Sequence, residues 1–354
     1  MRKLDAYIAN NVILATLVVI IVIVSLDSIF ALIGEIDDLR GAYQLPQALQ
    51  YIGMRLPRRV YEYMSMACLV GCLAGLGSLA ASSELTVMRA AGVSIARISL
   101  AVLKPTAVFM LISVLNAQFA IPNLERMADS MKTVALGQDE IMSNKGKGYW
   151  HREGSEYTRF SAADPKGVLY GISIYSFDEE KYLTKVRYAK KALYFENAWH
   201  MQEINQLDLS AEHTEVSTKD NEVWHSELTP RGLNVVMYEP RDMAITDLYS
   251  YSSYLKKEGL NADKYLLSFW SKVNQPIGTF ALVLLGISFI FGPLRAVTPG
   301  FRIFSGIMVG LIYKYAEELL APVSIISGFP PLLATLVPTV ICFIAAYYMM
   351  RKVG

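Results

Sequence analysis

Ser82-Ser83-Glu84-Leu85-Thr86-Val87-Met88-Arg89-Ala90-Ala91-Gly92-Val93-Ser94 separates two long apolar runs, and its reading decides the fold. A segment this short between two membrane-length runs has to return the chain from one span into the next. A serine ahead of Glu84 suits a helix start, where a carboxylate is also favoured. Arg89 near the far end and Gly92 just beyond it suit a helix stop. Leu85, Met88 and Ala91 share one face, with Glu84 beside it. So short a helix is not stable alone in water. It needs the spans at both ends and something docked against it. On this stretch alone, a plain turn stays open.

Outward from there, residues 61–81 and 98–121 read as the second and third spans, and residues 8–33 as the first. Each reaches the roughly 20 residues that cross a bilayer. Asp27 lies in the first span near its far end, and a polar loop, residues 34–57, carries Glu35, Asp37, Asp38, Arg40 and Arg55. Gly71, Gly75 and Gly77 in the second span include a small-xxx-small spacing that admits a close neighbouring helix. Gly306 and Gly310 repeat it in the fifth. Residues 273–291, 301–322 and 329–350 supply the last three spans. The first run follows Arg2 and Lys3 as a signal peptide would, but it is too long for one and lacks a small-x-small cleavage site. It reads as a retained span.

Between the two sets of spans the pattern changes. From about residue 123 to 264 nothing could cross a membrane, and period-two alternation appears: Ile172 and Ile174 against Ser173 and Tyr175, Val186 and Tyr188 against Lys185 and Arg187. Asp164-Pro165-Lys166-Gly167, Asp178-Glu179-Glu180-Lys181 and Glu196-Asn197 are turn material. Many short strands at this spacing indicate a sandwich or jelly roll. Residues 126–142 read as a helix leading in, and 247–259 as a helical return that a loop at 250–253 could interrupt. The expected class is an α-helical polytopic membrane protein of six spans with an inserted β-jellyroll, divided at 1–122, 123–265 and 266–354.

Composition agrees: the chain is 53% hydrophobic and 18% charged, below the roughly 25% charged of soluble domains. A net charge of +1 points to neither nucleic acid nor an acidic tail. Cys68, Cys72 and Cys342 lie in apolar runs and read as buried hydrophobes. Lysine and arginine place both termini and the short helix inside, through Arg2, Lys3, Arg89, Arg97, Lys104, Arg295, Arg302, Arg351 and Lys352. The β segment then faces outward. Arg55, Arg58 and Arg59 break that rule at the outer end of the second span, as interface anchors or as a site for an anionic headgroup.

No catalytic, metal or cofactor constellation is visible. The pair Gly146-Lys147 lacks the leading glycine of a phosphate loop, and His151, His200, His213 and His225 have no ligand spacing. No nucleophile elbow occurs. Charge at membrane depth does stand out: Lys314 with Glu317 and Glu318, at helical offsets of three and four. A self-neutralised pair near the interface and a functional site are both open readings there.

The chain resembles the LptF/LptG permease family over essentially its whole length. The likeness rests on Leu4-Asp5-x-Tyr7-Ile8, Ser83-Glu84-Leu85-x-Val87-Met88-x-Ala90-x-Gly92 and Gly171-Ile172-Ser173-Ile174-Tyr175. Its strongest pieces are Trp270-Ser271-Lys272-x-x-Gln275-Pro276 and Ser288-Phe289-Ile290-Phe291-Gly292-Pro293-Leu294-Arg295. The resemblance implies a non-enzymatic permease of the bacterial inner membrane that pairs LptF with LptG. It implies partners too: a dimer of the ATPase LptB, which holds ATP and Mg, the single-span LptC, and the periplasmic bridge protein LptA. The cargo would be lipopolysaccharide.

Residue by residue, the resemblance makes Glu84, Leu85, Met88 and Arg89 the ATPase coupling surface. Arg58 and Lys132 occupy basic positions that would hold lipid phosphates, with Arg40, Arg55, Arg59 and Arg126 able to compensate where Asp37, Asp38 and Asp129 replace family cations. Phe30, Ile33, Ile303, Ile307 and Leu311 would line the cavity wall. Lys314 is outside what the family leads one to expect. Two other classes are weighed against a lipid permease. One is a mechanotransmitting subunit that moves a periplasmic partner without carrying lipid, and the other a membrane-anchored enzyme, for which no constellation is present.

Overall fold

The computed structural model describes residues 2–136, 149–164, 167–178, 180, 182–209, 214–226, 228, 239–257, 261–292 and 297–353. The chain divides into two units, one of Met1–Ala31, Arg55–Asn123 and Pro240–Gly354, the other of Leu32–Met54 and Leu124–Glu239.

The helices are α1 (Arg2–Ile36), α2 (Leu45–Ala81), α3 (Glu84–Ala90), α4 (Ile95–Leu115), α5 (Ile121–Leu136), α6 (Ile245–Lys257), α7 (Asp263–Phe291), α8 (Pro299–Ser327) and α9 (Pro331–Val353). A π turn, Asn116–Ala120, joins α4 to α5, and its Asn116 side chain donates to the Pro57 carbonyl at 2.7 Å. Five of the described helices are long and apolar enough to cross a membrane: α1, α2, α4 running into α5, α7 and α9. The remaining expected span, the fifth, is α8, which has 29 residues but carries Lys314, Glu317 and Glu318 in its course. A span must satisfy every backbone group internally, which a helix does.

α2 begins 16 residues before the expected start of the second span, at Leu45 rather than residue 61. Its first turns are amphipathic rather than apolar, so hydropathy does not reveal them. Ala48, Tyr51 and Ile52, at helical spacing, are buried. Tyr51 and Ile52 cluster with Ala128, which gives the second unit a helical part alongside its strands. The return helix α6 runs unbroken through residues 250–253. The helix expected over 126–142 is found as α5, its residues 137–142 lying outside those described.

Both small-residue spacings mark close helix contacts. A Cβ built at Gly71 would lie 2.3 Å from Thr16 Oγ1 and 2.6 Å from Thr16 Cα, and one at Gly75 would lie 3.0 Å from Val12 Cα. α1 therefore lies directly on that face of α2. On α8, a Cβ at Gly306 would meet Leu73 Cδ1 at 2.4 Å, and one at Gly310 would meet Met66 Cγ at 3.1 Å. Around these contacts Leu69, Leu73, Leu76, Ile98, Val102, Leu282 and Ile287 form the core of the first unit. Buried polar groups join spans as well: Asn274 donates to the Thr335 carbonyl and Thr339 Oγ1, both at 2.8 Å, and Arg302 donates to the Gly77 carbonyl at 2.7 Å.

In the second unit, β1 (Tyr149–Glu153), β2 (Glu156–Asp164), β3 (Val168–Phe177), β4 (Leu183–Phe195), β5 (Ala198–Leu209) and β6 (Thr214–Trp224) form one antiparallel sheet in chain order. A crease crosses it. Phe160 pairs with Ile172 and Ala162 with Tyr170, so Ser161 and Gly171 are passed over. The same skip recurs at Lys190 between β3 and β4, at Glu203 opposite it, and at Asp220 on β6. Gly171 and Glu203 have positive φ, 59° and 53°. Such irregularities turn long strands through a corner, which lets a single meander wrap its own core of Phe160, Ile172, Ile174, Trp199, Met201 and Trp224. The Trp199 indole closes that core by donating to the Leu228 carbonyl at 2.7 Å.

Arg187 of β4 bridges Glu156 of β2 and Glu222 of β6, at 2.8 and 3.1 Å. Burial works to raise the Glu222 carboxyl, but hydrogen bonds from Lys219 and Arg187 overcome it and hold the group below the usual carboxylate range. A depressed folded-state value contributes stability that is complete above the unfolded glutamate value, about 4.3, and is lost as pH falls through the folded one. Hydrogen exchange of β4–β6 amides should therefore show protection that is flat near neutrality and drops below about pH 4. In Glu222→Gln that acid dependence should be shallower; an unchanged profile would refute the assignment.

Candidate functional site

α3 has only seven residues, yet it is held firmly. Ser83, at its start, has φ 62° and makes no side-chain cap. Instead the Ser82 hydroxyl donates to Glu84 Oε1 at 2.8 Å, fixing the carboxylate at the helix head. Gly92 ends the turn at φ 84°, with its N–H on the Arg89 carbonyl and the Val93 N–H on that of Met88, both 3.0 Å. A left-handed residue there requires glycine or a strain cost. Leu85 and Met88 are buried in the core of the spans with Ile8, Leu79 and Ile98. They anchor α3 and are not available to a partner. Val87, 66% exposed, is the large apolar side chain on the free face, where Thr86 and Arg89 are exposed too. Beside the helix is a cleft of about 440 Å³ lined by Leu85, Thr86, Arg89, Ala90, Ile95, Ile290 and Phe291.

Next to α3, Arg97 of α4 grips Asp5 of α1 in a fork, Nε to Oδ1 at 3.0 Å and Nη2 to Oδ2 at 3.1 Å. Ser94 caps α4, accepting from the Arg97 N–H at 3.3 Å. The short helix is thus flanked by a pinned pair of spans.

Of the cations expected to hold phosphates, Arg55, Arg58 and Arg59 lie along α2 in the first unit, and Arg40, Arg126 and Lys132 in the second. Arg58 bonds Glu62 at 3.0 Å and Asp242 at 2.9 Å. Arg59 is paired with Asp27, which also accepts from the Tyr63 hydroxyl at 2.9 Å. Lys132 donates to Glu35 and Asp38, both 2.7 Å, and lies over the Tyr43 and Tyr51 rings. The Tyr43 hydroxyl reaches the same Glu35 oxygen at 2.8 Å. Arg40, Arg55 and Arg126 each engage neighbours as well. Arg58, Arg59 and Lys132 are therefore held by internal carboxylates, the groups that a phosphate would have to rival.

Among the expected wall residues, Phe30, Ile33 and Ile303 are exposed, while Ile307 and Leu311 are half-buried. Ile303 also lines a small cleft with Leu73, Gly77 and Pro299. The charges of α8 separate: Lys314 lies 4.0 Å from Glu318, whereas Glu317 accepts from the Tyr313 hydroxyl at 3.0 Å. Among the described residues no group of side chains could hold a metal ion. His151 and His200 fall on β1 and β5, and His213 is outside the described residues.

The profile of the lipopolysaccharide export system permease LptF/LptG matches residues 6–352, covering both helical parts and the β segment at once. The chain belongs to the LptF/LptG family. It is 30% identical over 354 residues to the lipopolysaccharide export system permease protein LptG of Haemophilus influenzae, spanning 99% of each chain. To the LptG of Escherichia coli K12 it is 31% identical, over 99% of this chain and 98% of that one.

Several stretches that carry the LptF/LptG resemblance now have physical roles. Asp5 is the carboxylate gripped by Arg97, and Gly171 sits at the crease of the sheet. Gln275 donates to the Tyr61 carbonyl at 2.8 Å, joining α7 to α2. Lys272 is buried and donates to the Met243 carbonyl at 2.6 Å. Sequence reasoning did not single out Asp242, Tyr63, Tyr313 or Asn274, because a lone polar residue in an apolar run shows no partner until the helices are packed.

Proposed function

We propose that this LptF/LptG permease is the LptG-type half of an exporter in the bacterial inner membrane. It works with LptF, an LptB dimer and LptC, and takes lipopolysaccharide from the outer leaflet toward LptA. The observation that carries the reading is the joint match of both helical parts and the β segment to one family, together with the similarity over nearly the whole chain to proteins named LptG. Three features of the chain support it. α3 offers Glu84, Val87 and Arg89 outward while Leu85 and Met88 tie it to the spans, so a push on α3 moves α1, α2 and α4. Exposed apolar residues of α1 and α8 supply walls for acyl chains. Arg58 in the first unit and Lys132 in the second, each pre-aligned by carboxylates, each supply a cation that a phosphate can take over. The chemistry this requires of the chain is binding and release; hydrolysis belongs to the ATPase partner.

Photo-crosslinking in cells tests the route, with probes at Arg58, Lys132 and Ile307. Adducts to lipopolysaccharide that depend on ATP are expected at all three. Crosslinks to protein alone would favour a subunit that moves a periplasmic partner without carrying lipid.

A further inference from the structure

We propose that Lys314, on the Tyr63 face of α2, is an anion contact inside the spans that receives a phosphate group of an outer-leaflet amphiphile. This rests on the exporter reading above and adds to it a site that the sequence resemblance does not supply.

The argument begins with depth. α8 starts beside the α3 end of α2, where Arg302 binds the Gly77 carbonyl. Lys314 lies 15 residues after Pro299, about 22 Å along the helix axis. Tyr63 lies 18 residues before Ala81, about 27 Å along α2. With α3 at one surface, both belong to the opposite half of a hydrocarbon layer about 30 Å thick.

Charges at that depth need partners. Asp27 of α1 has two on α2, Arg59 and, one turn on, Tyr63. Glu317 has the Tyr313 hydroxyl. Lys314 is different: its ammonium sits 4.8 Å above the Tyr63 ring, and the carboxylate of Glu318 is 4.0 Å away, too far for a hydrogen bond. Among the described residues it donates no hydrogen bond, although an ammonium carries three donors. Arg59 Nε, on the same polar cluster, is likewise buried without a hydrogen-bond partner. Lys314 keeps 38% of its side-chain surface and Glu318 56%, so the ammonium is reachable from outside.

An internal ion pair would close to hydrogen-bonding distance, and a snorkelling lysine would leave the ring. The Tyr63 ring, fixed through its hydroxyl to Asp27, holds the ammonium in place by cation–π attraction while leaving its donors unused. That arrangement suits an oxyanion arriving from the lipid side. A lipid A phosphate and a phospholipid headgroup share this chemistry.

The test uses the assembled exporter with full-length chains in nanodiscs. It measures equilibrium binding of lipid A bearing both phosphates and of the same lipid dephosphorylated. Wild type should prefer the phosphorylated lipid. Lys314→Gln should bind that lipid about tenfold more weakly and the dephosphorylated lipid unchanged, with Lys314→Arg restoring most of the loss. Discs of phosphatidylglycerol in place of phosphatidylcholine separate the two sources. If phosphatidylglycerol erases the difference between wild type and Lys314→Gln, the headgroup held there is a phospholipid's; if the difference persists, it is lipid A's. Equal losses for both lipids, or no change in Lys314→Gln, would overturn the proposal. If wild type binds neither lipid, the exporter reading itself fails.

Discussion

Replacing Gly71 by alanine is expected to cost the protein about a third of its stability. The methyl carbon would sit 2.6 Å from Thr16 Cα and 2.8 Å from Thr16 N, so backbone rather than a flexible side-chain tip stands in the way. Neither helix can yield locally: Thr16 is buried on α1, and Leu69 and Leu73, flanking Gly71 on α2, are fully buried. The helices must separate, which also opens the contacts of Ile8 and Val12 with Cys68, Cys72 and Leu76. Overpacking of a well-filled core costs about 3 kcal/mol at the upper end of its usual range, against a total stability on the order of 10 kcal/mol. Gly53→Ala on the same helix is the control, since nothing lies within 4 Å of its Cβ position; it should hold or gain slightly, because alanine is the better helix former. Unfolding midpoints in detergent micelles decide the matter. Equal midpoints for Gly71→Ala and wild type would mean that α1 does not lie on α2 at this place.

That contact was visible in the sequence as a spacing, and so were most of the large elements. A span announces itself through apolar length alone, which is why the α4, α7 and α9 assignments needed no partner. The part of α2 before residue 61 escaped because Ala48, Tyr51 and Ile52 face a local cluster, and an amphipathic turn has no hydropathy peak. The strands of the β segment were legible from alternation at Ile172 and Ile174, both buried. Their arrangement was not: a crease through Ser161, Gly171, Lys190, Glu203 and Asp220 is a property of register across strands, and only Gly171 hints at it. The cations were legible as cations but not as pairs. Lys132 has its partners 94 and 97 residues away, and Arg59 its partner 32 residues away. Such separations leave no periodic mark in one sequence. The direction of α3 was not legible: Leu85 and Met88 share a face, as expected, but that face belongs to the core, which leaves Thr86, Val87 and Arg89 exposed on the other.

This orientation of α3 gives the largest functional effect. Glu84→Lys is expected to reduce ATP-driven lipid release by about a hundredfold in the reconstituted complex, while the permease still folds and inserts. The fold should survive because Glu84 is only half-buried and its partners are the hydroxyls of Ser82 and Tyr7, whereas the anchors Leu85 and Met88 are untouched. The function should not, because a cation supplied by the ATPase would meet a cation. Like charges brought together at a desolvated contact cost several kcal/mol, and a hundredfold corresponds to about 2.7 kcal/mol. The Ser82 bond predicts an order among milder changes. Ser82→Ala loosens the carboxylate, which keeps its charge and its Tyr7 contact, so release should fall only severalfold; Glu84→Gln keeps the shape and loses the charge, so it should lie between. Reversing the facing charge on the ATPase should rescue Glu84→Lys and harm wild type. If Glu84→Lys releases lipid at the wild-type rate, α3 does not carry the stroke through this carboxylate. If all three variants fail equally without rescue, the residue maintains the shape of α3 and the coupling contact must be sought at Val87 and Arg89.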